Sequence, residues 1–73
     1  MITINKGSGL SEREVEVLEL IAMEYNSREI AQQLYISYHT AISHRQNLLI
    51  KLDVRNTAGA VRRGFELGLL TIA

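Results

Sequence analysis

The side chains best suited to chemistry crowd into one stretch, His39, Ser43, His44 and Gln46. Two histidines raise the question of a metal. They are five residues apart, which turns them about 140° from one another on a helix, and no third ligand is evident. Cysteine is absent, so no thiolate ligand and no disulfide is available. Ser43 beside His44 is no nucleophile–base pair, because helical neighbours point apart. No glycine-rich phosphate loop follows a strand. An enzyme is therefore not expected, nor a metal or a cofactor. What the stretch can do is hydrogen-bond through an amide, a hydroxyl and imidazoles, and make apolar contact through Ile42.

Those residues need a scaffold, and the chain spells one out in helix signals. Ser11 and Glu14 form a Ser-x-x-Glu capping box, with Leu10 and Val15 at the spacing of a hydrophobic staple. Val17, Leu18, Ile21 and Tyr25 recur at helical spacing, which predicts a first helix over about 12–24. Asn26 and Glu29 repeat the cap, and Ile30, Ala31 and Leu34 follow on a helix of about two turns. Ser37 caps a third helix over about 38–52. Its core stripe is Ala41, Leu48, Leu49 and Leu52, and its opposite side carries His39, Ser43, Gln46 and Ile50, with Ile42 and Asn47 flanking. Asp53 suits the left-handed turn after it. Asn56 or Thr57 caps a fourth helix over about 57–68, with Val61, Phe65 and Gly68 on one side and Gly59, Arg62, Arg63 and Glu66 on the other. Its interior glycines predict close approach of another backbone, and Leu69–Ile72 should fold back over the core.

The expectation is an all-α fold: a compact four-helix domain over 10–73 behind a flexible lead-in or linker over 1–9. A length of 73 residues suits one small domain and excludes a large buried catalytic cavity. No apolar run approaches the ~20 residues of a membrane helix, and the start lacks a signal-peptide layout. No membrane association is expected, and the cytoplasm is the expected compartment. Formal net charge is zero, unlike a strongly basic nucleic-acid binder. Its distribution is lopsided: residues 1–29 hold three basic and six acidic residues, and residues 30–73 hold five and two.

A short helix, a three-residue turn and a longer helix with a polar, uncharged outer face make a helix-turn-helix. In that frame Gln46 could pair with adenine, Ile42 could touch a thymine methyl, and Ser43 would allow close approach. Plainer readings stand beside these: Gln46 as an exposed polar residue, and Ile42 as packing at the edge of the helix pair. Arg45 falls near the core edge, its stem packed and its head reaching out to a phosphate. Lys51 falls toward the far end of the helix and is either a phosphate contact or a solvated charge.

The text Leu10-Ser11-x-Arg13-Glu14-x-Glu16-Val17-Leu18, Glu29-Ile30-Ala31-x-x-Leu34-x-Ile36-Ser37-x-His39-Thr40, His44-Arg45-x-Asn47-Leu48 and Lys51-Leu52-x-Val54-Arg55-Asn56 resembles the LuxR-type helix-turn-helix family over about residues 10–70. This is the DNA-binding domain found in quorum-sensing regulators and NarL/FixJ-type response regulators. The resemblance implies a transcription regulator that binds double-stranded DNA, with its third helix in the major groove. It implies that Thr40 touches a phosphate, that positions 42, 43 and 46 face bases or nearby phosphates, and that Ser27 and Arg28 lie near the backbone. His39, Arg45 and Lys51 complete the expected DNA contacts. The fourth helix is expected to form a homodimer through Gly59, Arg62, Arg63 and Glu66. Glu12, Glu16 and Glu19 on the first helix read most simply as a solvated face, and secondarily as a surface for a basic partner such as RNA polymerase or another domain. The chain departs from the family pattern at Ile42, where Lys or another polar residue is common, and at Ala41, usually Val. Glu24 and Asp53 stand where glycine is frequent. A helix-turn-helix shape that has lost DNA affinity and pairs with a protein instead is the rival reading.

Overall fold

A computed structural model describes residues 9–71. It contains four α-helices, α1 (Glu12–Ala22), α2 (Ser27–Leu34), α3 (Tyr38–Leu52) and α4 (Thr57–Glu66), and no strand among the described residues. The predicted lead-in falls almost entirely outside that range.

Each helix begins on a polar cap. Ser11 Oγ accepts the Glu14 N–H at 3.1 Å while Glu14 Oε1 accepts the Ser11 N–H at 2.9 Å. Asn26 and Glu29 make the same reciprocal pair, at 2.9 and 2.8 Å. Ser37 caps α3 and Asn56 caps α4. These bonds satisfy first-turn amides that no helical carbonyl can reach.

The helix ends are equally uniform. After each last turn comes one residue with a left-handed backbone: Glu24 (φ 69), Tyr35 (φ 56), Asp53 (φ 58) and Gly68 (φ 77). The next residue then donates its N–H five residues back, Tyr25 to Leu20, Ile36 to Ala31, Val54 to Leu49 and Leu69 to Gly64, at 2.8–3.1 Å. This is the Schellman closure. Its apolar follower turns inward every time: Tyr25, Ile36, Val54 and Leu69 all pack against the core.

Because of these closures α1 stops at Ala22 rather than 24, and α4 at Glu66 rather than 68. Helix α1 packs on all three others, and α2 and α4 each rest on α1 and α3. Leu10, Val17, Leu18, Ile30 and Leu48 are fully buried where these faces meet. The staple residues Leu10 and Val15 are both buried, and so is Leu70, returning over the core. Ile72 lies outside the described residues. No helix among the described residues is long and apolar enough to cross a membrane.

Helix α4 corrects two expectations. Its core face is Ala60 and Gly64, with Val61 beside them, whereas Phe65 is 42% exposed. Its glycines admit side chains rather than a backbone. A Cβ on Gly64 would stand 2.7 Å from Leu70 Cδ1 and 2.9 Å from Leu18 Cδ2. One on Gly59 would stand 3.1 Å from Val54 Cβ.

Candidate nucleic-acid interface

Helices α2 and α3, with the turn Tyr35–Ser37 between them, form the helix-turn-helix. The core stripe of α3 is as its periodicity requires: Ala41, Leu48 and Leu52 are buried and Leu49 half-buried. The opposite side is therefore turned outward. His39 and Gln46 are exposed, Ile42 and Ser43 half-buried, and Ile50 is 74% exposed. No formal charge lies on this ridge. Thr40 is half-buried at the first turn, where its Oγ1 accepts the Ser37 hydroxyl at 2.9 Å. The Thr40 hydroxyl keeps its own hydrogen to donate.

The charge sits beside the ridge. Asn26, Ser27, Arg28, Tyr38 and Arg45 line an open cleft of about 300 Å³ between the start of α2 and α3. Ser27 is buried, and its hydroxyl accepts Arg45 Nη1 at 2.7 Å. The Arg28 guanidinium lies over the Tyr38 ring, 4.7 Å from its centroid, a cation–π stack that holds an otherwise mobile side chain. Arg45 Nε is buried and has no hydrogen-bond partner. The lining contains no carboxylate, and among the described residues neither arginine meets one within ion-pair distance. The capping box leaves the Ser27 and Arg28 N–H groups over at the positive end of the α2 dipole. Two guanidinium groups and a helix N-terminus around one opening make a place for an anion.

The structure brings most of the sequence-derived contacts into one zone. His39, Thr40, Ile42, Ser43 and Gln46 lie on α3, with Ser27, Arg28 and Arg45 at its flank. Tyr38 was missed, and its signal is only its place as the first helical residue after the Ser37 cap, which spacing alone does not join to Arg28. Ser27 does not lie at the surface: it is buried and bonded to Arg45. Lys51 leaves α3 on the other flank: its ammonium sits 2.9 Å from Glu14 Oε1 of α1. Burial pushes the Glu14 carboxyl up, but the Lys51 hydrogen bond and charge, with the Ser11 amide and hydroxyl, outweigh it and hold the group below its ordinary range.

On α4, Arg62, Arg63 and Glu66 are exposed and already paired within the chain. Arg62 Nε is 3.2 Å and Arg63 Nη1 3.3 Å from the Glu66 carboxylate. Gly59 is half-buried against Val54. No cluster of three or more metal-ligating side chains occurs among the described residues.

Residues 8–63 match the family described as bacterial regulatory proteins, luxR family. Over 61 residues the chain is 36% identical to the oxygen regulatory protein NreC of Staphylococcus haemolyticus, covering 84% of this chain and 28% of that protein. It is 41% identical over 61 residues to the response regulator protein VraR of Staphylococcus aureus, covering 84% and 29%. The chain thus spans less than a third of these relatives' length. A solved structure of the transcription factor GerE superposes with a TM-score of 0.80 at 34% identity, covering 85% of this chain and 92% of that one. The match covers the caps, the helix-turn-helix and most of α4, so the chain belongs to the luxR family of bacterial regulatory proteins and is a LuxR-type helix-turn-helix DNA-binding domain of transcription regulators.

Proposed function

We propose that this domain reads a specific double-stranded DNA sequence as a homodimer, with α3 in the major groove. The observation that carries this reading is the uncharged outward ridge of α3 lying beside a carboxylate-free cleft with two arginines. Phosphate contacts from Arg28, Arg45, His39 and Thr40 supply position and most of the affinity, and Gln46, Ser43 and Ile42 supply choice. Lys51, tied to Glu14, adds a weaker general attraction.

Few cations per copy mean weak binding by one copy. Two copies on an inverted repeat double the contacts. The α4 surface of Gly59, Arg62, Arg63 and Glu66 is the proposed two-fold contact, with Glu66 exchanging an arginine of its own chain for one of its partner's. The likeness to NreC and VraR supports a role as the output domain of a larger cytoplasmic response regulator, with RNA polymerase meeting the Glu12, Glu16 and Glu19 face of α1.

Selection of bound duplexes from a random pool tests the core of this reading. The expected result is an enriched inverted repeat, and Gln46→Ala broadens the choice at one position per half-site. Equal losses for Gln46→Ala on selected and random duplex would contradict its role. No binding at low salt would favour a protein-interaction module instead.

A further inference from the structure

Ile50 is the most exposed aliphatic side chain on α3, at 74%. It takes no part in the DNA contacts proposed for His39, Thr40, Ile42, Ser43 and Gln46. It follows Ile42 and Gln46 at steps of four, so the three form one row along the helix surface. With a rise of about 1.5 Å per residue the two isoleucines stand about 12 Å apart along the axis. That is the length of three to four base pairs, at about 3.4 Å each. The row therefore reads apolar, amide, apolar, and it carries no charge that would draw it toward phosphates.

Resting on the proposal that α3 enters the major groove, we infer that Ile50 is a specificity-determining residue that, with Ile42, reads thymine methyl groups on either side of the base met by Gln46. The edges of A, G and C offer only donors and acceptors in the major groove, and the C5-methyl of thymine is its one apolar group. An isoleucine laid over a polar edge strips water from it and returns no hydrogen bond. Over a methyl group it removes apolar surface from both partners. Two isoleucines on one face thus favour thymines at two positions and penalise other bases there. The preferred half-site carries thymines three to four base pairs apart, around the adenine that suits Gln46.

Deoxyuridine tests this, because it lacks only the methyl group of thymine and keeps its pairing. The wild-type chain is titrated with the duplex selected from the random pool, in which each thymine is replaced in turn. Replacement at two positions per half-site should weaken binding about fourfold per methyl, the transfer value of one buried methylene. Ile50→Ala should abolish the effect at one of those positions and leave the other, while Ile42→Ala does the reverse. Placing 5-methylcytosine opposite Ile50, in a C·G pair, should recover part of the loss that unmodified cytosine causes. As Ile50 is largely exposed, Ile50→Ala should keep the wild-type unfolding midpoint.

Equal deoxyuridine responses in the wild type and Ile50→Ala overturn the inference, even with a well-defined site. So does an Ile50→Ala protein that selects the same site with unchanged affinity, or one whose only change is its oligomeric state without DNA. A pool that yields no enriched sequence overturns the DNA-reading proposal itself, and this inference with it.

Discussion

Glu14 Oε1 at the start of α1 accepts two hydrogen bonds at once, from the Ser11 N–H and from Lys51 Nζ near the end of α3, each at 2.9 Å. One carboxylate closes a local cap and ties together residues 37 apart in sequence. Its side chain is 7% exposed and that of Lys51 43%.

Acid stability should follow this carboxylate. Its pKa is lowered on folding, so the native state binds its proton less readily than the unfolded chain. The stabilisation is complete above the unfolded value near 4.5 and is lost as pH falls through the lower folded value. Urea denaturation from pH 7 down to pH 3 should show the wild type weakening across that window and Glu14→Gln weakening less. At pH 7, Lys51→Ala should lower stability by about 1 kcal/mol, the upper range for a pair with one partner exposed.

The two glycines of α4 should respond differently to alanine. Gly64→Ala places a methyl against Leu70 and the fully buried Leu18. Overpacking of about 1–3 kcal/mol exceeds the ~1 kcal/mol helix gain of alanine over glycine. Gly59→Ala meets Val54 Cβ at 3.1 Å and Asn56 Oδ1 at an ordinary 3.6 Å, so strain and helix gain nearly cancel. Thermal melts should place Gly64→Ala several degrees below Gly59→Ala. A Gly59→Ala protein that melts normally but loses binding on the inverted repeat, while keeping it on a half-site, would support the α4 contact.

Asp53→Gly should stabilise the domain by about 1 kcal/mol. A left-handed backbone strains a residue with a Cβ by roughly 1–2 kcal/mol, partly offset by the freedom glycine adds to the unfolded chain. Asp53 also sets a negative charge against the negative end of the α3 dipole. Glu24→Gly and Tyr35→Gly should gain at least as much, because glutamate and tyrosine tolerate this backbone less well than aspartate, and the urea midpoint of each variant measures the order. A lower midpoint for Asp53→Gly would contradict this account.

The cleft arginines should appear in salt dependence. Arg28→Met and Arg45→Met should each flatten the slope of log affinity against log salt by about 0.9. Gln46→Ala should leave the slope unchanged while altering base choice. Tyr38→Ala should weaken binding by loosening Arg28, and Tyr38→Phe should preserve it, since the ring and not the hydroxyl carries the stack. Arg45→Met should also lose about 1 kcal/mol of stability, because the Ser27 hydroxyl stays buried without its donor.

The helix starts were fully legible in the sequence, because a cap is written within four residues: Ser11 with Glu14, Asn26 with Glu29. The α3 ridge was legible for the same reason, as periodicity alone sorts His39 and Gln46 from Leu48 and Leu52. Long-range partnerships were not. Nothing local joins Lys51 to Glu14, Arg45 to Ser27 or Arg28 to Tyr38, since each depends on how two helices cross. Phe65 shares a side with Val61, four residues before it, yet the core took Ala60 and Gly64, whose small size carries little apolar signal in the sequence. Tyr35 was missed because tyrosine carries no glycine-like signal for a left-handed turn.

Three of the four joints that close the helices are built on Glu24, Tyr35 and Asp53 rather than glycine. A side chain narrows the torsional well each joint occupies, and the apolar residue behind it is pinned in the core. The angles between helices are thereby stiffened, so a docking partner meets a surface already in shape and little chain freedom is surrendered on contact. Swapping such a joint to glycine would yield a protein harder to unfold yet looser in posture, in which thermal robustness and readiness to bind no longer rise together.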